Sequence, residues 1–244
     1  MRMIMATSFT MQFDFTQDPE LTVLAQLQKL NYSLVAYLGA SGTGQITVGV
    51  PTWFTVPYSD VFGKETITYT PSYQVYVSTQ STIAQGTVIT MNSQSPTTGL
   101  GQGFTFGQNG SWSYGLPAGT VIPPDSVGLF NGNSRELTFG LAAPAALNGG
   151  NAAFTPFCAF TVPPQNTIFM TPNQTVMLVN AITAVSSGSV QAVIGAPGAS
   201  FSFLDSPQYF LDVTPNTYAI TNAPNTAPVK PVNSGASISQ VVNS

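Results

Sequence analysis

Charge is what this chain has least of. Its 244 residues include 5 Lys and Arg, 9 Asp and Glu and no histidine, so 6% are charged, where an ordinary soluble domain has roughly a quarter. Without histidine, the Ser–His–Asp and Cys–His catalytic arrangements are excluded. With a single cysteine as well, so are the common zinc sites. The five cations, Arg2, Lys29, Lys64, Arg135 and Lys230, stand singly. No basic face is available to neutralise phosphates, and nucleic acid is not expected as a partner.

Cysteine and long apolar runs are also scarce. Cys158 sits between Phe157 and Ala159 and reads as a small buried hydrophobe. It has no second cysteine to pair with, so cysteine usage leaves the redox compartment open. Met1–Met5 imitates the start of a secretory signal, but the run stops at Ala6, and Gln12 and Asp14 follow; no hydrophobic region of signal length forms. Nor does any window reach the ~18 apolar residues of a membrane helix. No cleavable signal peptide is evident. The compartment stays unassigned, with an extracellular particle, a surface or a virion favoured.

In place of charge the chain carries Thr, Ser, Asn, Gln and Gly, with 43% hydrophobic residues and a net charge of −4. That is enough apolar material for a core without disulfide or metal staples. One segment reads as a helix: Asp18 as cap, Pro19 in the first helical position, Glu20 in the first turn, and Leu21, Leu24, Ala25, Leu27 and Leu30 on one face, ending near Asn31 with Lys29 in the last turn. Nearly everything else has strand chemistry. Ser8–Phe15 alternates Phe9, Met11, Phe13 and Phe15 against polar residues, and Tyr32–Leu38 places Leu34, Ala36 and Leu38 in phase. Thr66–Thr79 carries Ile67, Tyr69, Tyr73, Val75 and Val77 around a bend at Pro71. Further runs fall at Thr87–Met91, Glu136–Leu141, Thr155–Val162, Gln174–Ile182, Val190–Ile194, Ser200–Leu204 and Thr217–Ile220. Short strands punctuated by Gly and Pro predict an all-β fold, an antiparallel, jelly-roll-like β-sandwich with one short α-helix in the N-terminal region. Residues 1–221 form the body, with a faint likeness between Ser33–Gly49 and Gly188–Phe203 that allows two similar halves. Residues 222–244 read as a Pro-, Asn- and Ser-rich extended arm, in which Ile238–Val242 has the look of a terminal strand.

The sharpest local signal is Phe104–Tyr114, where Asn109-Gly110 lies between alternating aromatics. A two-residue turn would set Phe106 opposite Ser113. A three-residue loop, Gln108-Asn109-Gly110 with Gly110 left-handed, sets Phe106 opposite Trp112 and Phe104 opposite Tyr114. The second register gathers four aromatics on one face, each cross-strand pair contributing roughly 0.2–1 kcal/mol, and is favoured.

Glycoside hydrolysis needs two carboxyl groups and no histidine, but none of Asp14, Asp18, Glu20, Asp60, Glu65, Asp125, Glu136, Asp205 and Asp212 sits in a pair-fixing motif. Lys64-Glu65 and Arg135-Glu136 read as local ion pairs. Gly39–Gly44 lacks the lysine of a phosphate-binding loop and precedes strand-like Gln45–Val48, so it reads as a hairpin loop. Asp205…Asp212 is the place where turn carboxylates come nearest to a calcium site, without its Asp-x-Asp spacing. No cofactor or metal is expected. The remaining resource is aromatic: Trp53, Phe54 and Tyr58, with Trp112 and Tyr114, are the candidates for a binding or interface platform, although Trp53 or Phe54 would serve equally well facing the core.

Short strands, neutral polar loops and extended termini resemble, in composition, jelly-roll coat proteins and other self-assembling β-proteins. The expected role is non-enzymatic and structural: a self-assembling virion coat or spike subunit, surface layer, filament or crystalline inclusion protein. Its main partner would be copies of itself, because aromatics and Met suit interface cores while Lys and Glu do not. The alternative is a carbohydrate-binding (lectin) or membrane-directed pore-forming β-protein, with a glycan or a membrane surface as partner.

Overall fold

A computed structural model describes residues 8–42, 49–80, 83–182 and 185–244. The chain starts with β1 (Phe9–Asp14), passes through α1 (Glu20–Lys29), and continues as β2 (Ser33–Gly42), β3 (Val50–Pro51) and β4 (Phe54–Pro57) to a single 3-10 turn at Tyr58–Asp60. Next come β5 (Lys64–Tyr69), β6 (Gln74–Ser78), β7 (Ser93–Gln94), β8 (Gly103–Phe106), β9 (Trp112–Tyr114) and β10 (Val127–Asn131). The long β11 (Leu137–Leu147) leads to β12 (Ala153–Pro156), β13 (Phe160–Val162) and the longer β14 (Thr167–Ala181). Last are β15 (Val190–Gln191), β16 (Gly198–Ser202), β17 (Gln208–Val213), β18 (Ile220–Asn222), β19 (Lys230–Val232) and α2 (Ile238–Val242).

The fold is all-β. Among the described residues the strands form a nine-stranded sheet ordered β18-β17-β1-β5-β11-β6-β7, with β12 and β13 also on β11, and an eight-stranded sheet ordered β19-β16-β14-β10-β8-β9, with β2 on β14 and β4 on β2. A two-stranded β15–β3 pair completes them. Both large sheets are mixed, which corrects the antiparallel expectation: β1 runs parallel to β17 and β10 parallel to β8. In the second case the β8–β9 hairpin is followed by a return that brings β10 back along the far side of β8, and that connection imposes the parallel sense.

One core draws on both large sheets. Phe9, Met11, Phe13, Ile67, Tyr69, Phe139, Leu141 and Tyr209 come from the nine-stranded sheet, and Leu34, Ala36, Leu38, Phe104, Phe106, Leu129, Ile168 and Leu178 from the eight-stranded one. Rings bridge the two: Phe201–Tyr209 at 4.2 Å between centroids, Trp53–Tyr69 at 5.0 Å and Phe106–Phe139 at 5.6 Å. The alternations read in Ser8–Phe15 and Tyr32–Leu38 are the cause, since period-2 apolar residues line one face of a strand. In α1 the buried residues are Val23, Leu24 and Leu27, while Leu21, Ala25 and Leu30 are exposed. Pro19 takes the cap position, and Asp18 accepts a bond from the Thr22 hydroxyl at 2.7 Å instead of capping.

Other expectations change. Thr87–Met91 is no strand, offering only a single bridge from Val88 to Ser189. Thr155–Val162 is divided between β12 and β13. Gly39–Gly42 extends β2 rather than forming a hairpin loop, and Gln45–Val48 lies outside the described residues. Ile238–Val242 is a helix, not a strand: Ser237 caps it through its side chain, and Ile238 and Val242 are fully buried. A strand would put these two, four apart, on one face too, but only a helix sets them one turn above each other.

The arm therefore docks on its own body. β19 pairs with β16, and α2 covers Val35, Tyr37, Met177 and Val179 on the side of the eight-stranded sheet away from the main core. Ala40 N–H donates to Asn243 Oδ1 at 2.9 Å, across 203 residues of sequence. Asn173 Nδ2 donates to the Val242 carbonyl. Gly39 allows this approach, because a Cβ there would collide with the Val242 carbonyl and the Asn173 side chain.

Candidate functional site

The hairpin takes the favoured register: Phe104 faces Tyr114, Thr105 faces Ser113 and Phe106 faces Trp112. Gly107 N–H donates to Ser111 O at 2.9 Å, and Gly110 N–H to Gly107 O at 3.1 Å. Gly110 has φ +78°, the left-handed position that closes a three-residue loop. Ring centroids lie 4.9 Å apart for Phe106–Trp112 and 5.0 Å for Phe104–Tyr114. Trp112 is half-buried and its Nε1–H donates to Ser93 Oγ at 2.9 Å, tying the hairpin to β7 of the other sheet. Tyr114 is 68% exposed.

The other three candidates do not join them. Trp53 is wholly buried, donating from Nε1 to the Ala143 carbonyl at 3.0 Å and meeting Phe54 and Tyr69 edge-on. Tyr58 is buried too, with its hydroxyl donating to Asn180 Oδ1 at 2.8 Å, and burial pushes its pKa far up. Phe54 is buried but borders a cavity of about 290 Å³ between β4 and the β5–β11–β12 part of the nine-stranded sheet, with Asp60, Asn151 and Thr155 on its rim. Trp53, Phe54 and Tyr58 are therefore no surface platform. The alternating Trp53-Phe54 pair is drawn into the inter-sheet core because both faces of β4's entry are covered.

The carboxylates are less scattered than their spacing in sequence suggests. Parallel pairing of Phe13 with Leu211 makes Asp14 and Asp212 neighbours at the end of β1 and β17. They share a cleft with Gln12, Lys64 and Phe210. Bonds from the Thr16 hydroxyl and backbone N–H, then the Lys64 ammonium at 3.2 Å, hold Asp14 below the usual carboxylate range. Burial, then the charges of Glu20 and Asp14, push Asp212 up. Asp14–Lys64 is the ion pair formed among the described residues, which corrects both local pairs expected from sequence. Glu65, facing the other way on β5, is buried and accepts from Phe62 N–H at 3.1 Å and from Asn148. Arg135 and Glu136 are both exposed without a mutual contact.

Cys158 is buried as expected, its thiol pushed up to about 12 by desolvation. Among the described residues no group of His, Cys, Asp and Glu is placed to hold a metal ion, and no helix is long and apolar enough to cross a membrane. The Asp14–Phe210–Asp212 cleft and the rim residue Asn151 carry no signal in sequence, since each site is assembled from segments far apart in the chain. The chain matches no family model, and no curated protein and no solved structure matches it.

Proposed function

We propose that this chain is a structural protein that assembles with copies of itself, as a virion coat or spike subunit, surface layer, filament or crystalline inclusion protein, on a jelly-roll-like β-sandwich. The observation that carries the reading is a surface that leaves large apolar side chains in water on a chain with few charges: Phe62 is 83% exposed, Val121 84% and Leu204 59%. From position 66 to position 124 the sequence has no charged residue at all. Such a surface can be covered while desolvating few ions. The aromatic pairs bridging the two large sheets support the sandwich. Light scattering and sedimentation against concentration test the assembly: particle size and melting temperature should both rise with concentration. A protein that stays monomeric at high concentration in several buffers overturns it.

A second reading, carbohydrate binding, is favoured by the cleft at the end of β1 and β17. Phe210, 40% exposed, stands there beside Gln12, Asp14 and Asp212, an aromatic face with acceptors of the kind a sugar ring uses. On this reading a glycan array gives a hit that Phe210→Ala abolishes without changing the melting temperature. An array that stays blank removes it.

A further inference from the structure

Among the described residues three strands of the eight-stranded sheet pair on one side only: β4, which ends in the exposed Pro57, and the two that end the path through β14, which differ from each other. At one, β19 presents exposed Lys230 and Pro231, a charge and a residue without an N–H, both of which discourage another strand from pairing. At the other, β9 presents neither. It lies inside the uncharged stretch from 66 to 124, and among the described residues it pairs on one side only, with β8.

The hairpin's own bonds fix what β9 turns outward. Gly107 N–H donates to Ser111 O at 2.9 Å and Gly115 N–H to Gly103 O at 2.8 Å. Hydrogen-bonded pairs alternate along an antiparallel ladder, so Ser113, midway between, turns its N–H and C=O to β8. Trp112 and Tyr114 therefore hold theirs away from it. The Tyr114 ring lies on the same side of the sheet as Phe104, which is fully buried. It stays exposed because the sheet stops there.

We propose that β9 is the contact through which two copies of this chain pair, as antiparallel strands about a two-fold axis at Ser113, a proposal that rests on the self-assembly reading above and adds its edge, register and symmetry. A second copy fits this edge because the edge is self-complementary. Centring on Ser113 sets Trp112 opposite the partner's Tyr114. The outward N–H and C=O of each then exchange bonds with the other, twice over by symmetry. The same register lays the Trp112 indole beside the partner's Tyr114 ring, on the side already lined by Phe104 and Phe106, so the aromatic row continues across the axis. A shift of one residue would set outward groups against inward ones and lose every bond.

The test uses the two serines at the axis. They form a non-hydrogen-bonded pair with Cα atoms about 4.5 Å apart, within the span of a disulfide, and the native thiol is buried. Ser113→Cys should give a reducible covalent dimer under mild oxidation, at concentrations where an exposed control, Ser134→Cys, stays largely monomeric. Ser113→Lys, which opposes two ammonium groups across the axis, should raise the concentration needed for association several-fold, whereas Ser113→Thr should leave it unchanged. If the unaltered protein associates but Ser113→Cys crosslinks no faster than the control and Ser113→Lys associates normally, the β9 contact is wrong and self-assembly stands on another surface. If the unaltered protein never associates, both proposals fall.

Discussion

Above about pH 10 the protein should unfold in one transition, with its buried tyrosines ionising as it opens and not before. Tyr58, Tyr69, Tyr73 and Tyr76 all have pKa values raised above their ordinary 10.0, with burial as the leading cause in each. Coulombic repulsion between Tyr69 and Tyr73, whose hydroxyls lie 3.0 Å apart, adds to the rise at Tyr69. The folded state holds these protons more tightly than the unfolded chain does. The stabilisation is therefore complete below pH 10 and is lost as pH climbs from there toward the folded values. Each group loses up to about 1.4 kcal/mol per pH unit within its own window, and because the four losses fall in the same direction they add against a marginal total stability. Cys158, raised from 9.0 to about 12, acts in the same direction. The acid side should be shallow. Asp14, lowered, loses stabilisation as pH falls, whereas Asp212, raised, loses it as pH rises, and both stand in a solvent-accessible cleft where screening weakens such effects. Absorbance at 295 nm followed beside circular dichroism decides the matter: tyrosinate appearing near pH 10 in a protein that keeps its native spectrum would sink the prediction.

Trp53→Ala should cost about 3–5 kcal/mol, the largest loss expected from a single aromatic here. The indole is fully enclosed, with ring centroids 4.9 Å from Phe54 and 5.0 Å from Tyr69, and its truncation leaves a cavity between the sheets. Trp53→Phe keeps most of the volume but removes the donor to the Ala143 carbonyl, which should cost about 1–3 kcal/mol. Tyr114→Ala, at an exposed position, should cost the isolated protein only about 0.2–1 kcal/mol, the contribution of its cross-strand pair with Phe104. Urea denaturation of the three variants checks the order, and a Trp53→Ala protein as stable as the parent would show that the tryptophan is not the inter-sheet strut described above.

Local pattern made some of this legible. Alternation in Ser8–Phe15 identified β1 and its inward side chains, because one face of a strand is buried and the other is not. The Asn109-Gly110 loop gave its register because only one loop length brings Trp112 over Phe106. Pattern does not encode strand direction, so the parallel partners of β1 and β8 were out of reach. It also does not reveal a second covered face: alternation in Tyr32–Leu38 picks out Leu34, Ala36 and Leu38, yet Val35 and Tyr37 between them are buried as well, against α2. The same blindness left Trp53 open between a surface platform and the core, and hid Asp212, whose neighbours Asp14 and Glu20 lie some 200 positions away.

The docking of α2 has a consequence for how the protein is made. Its seat on β2 and β14 is synthesised long before Ile238 and Val242 emerge, so during translation the apolar patch of Val35, Tyr37, Met177 and Val179 is only partly covered, by Val50, Ile194 and Val232, until the helix arrives to close it. Because contacts between such distant segments form slowly, a chain halted short of α2 should expose apolar surface and aggregate more readily, and reaching that helix is what closes the outer face of the sheet.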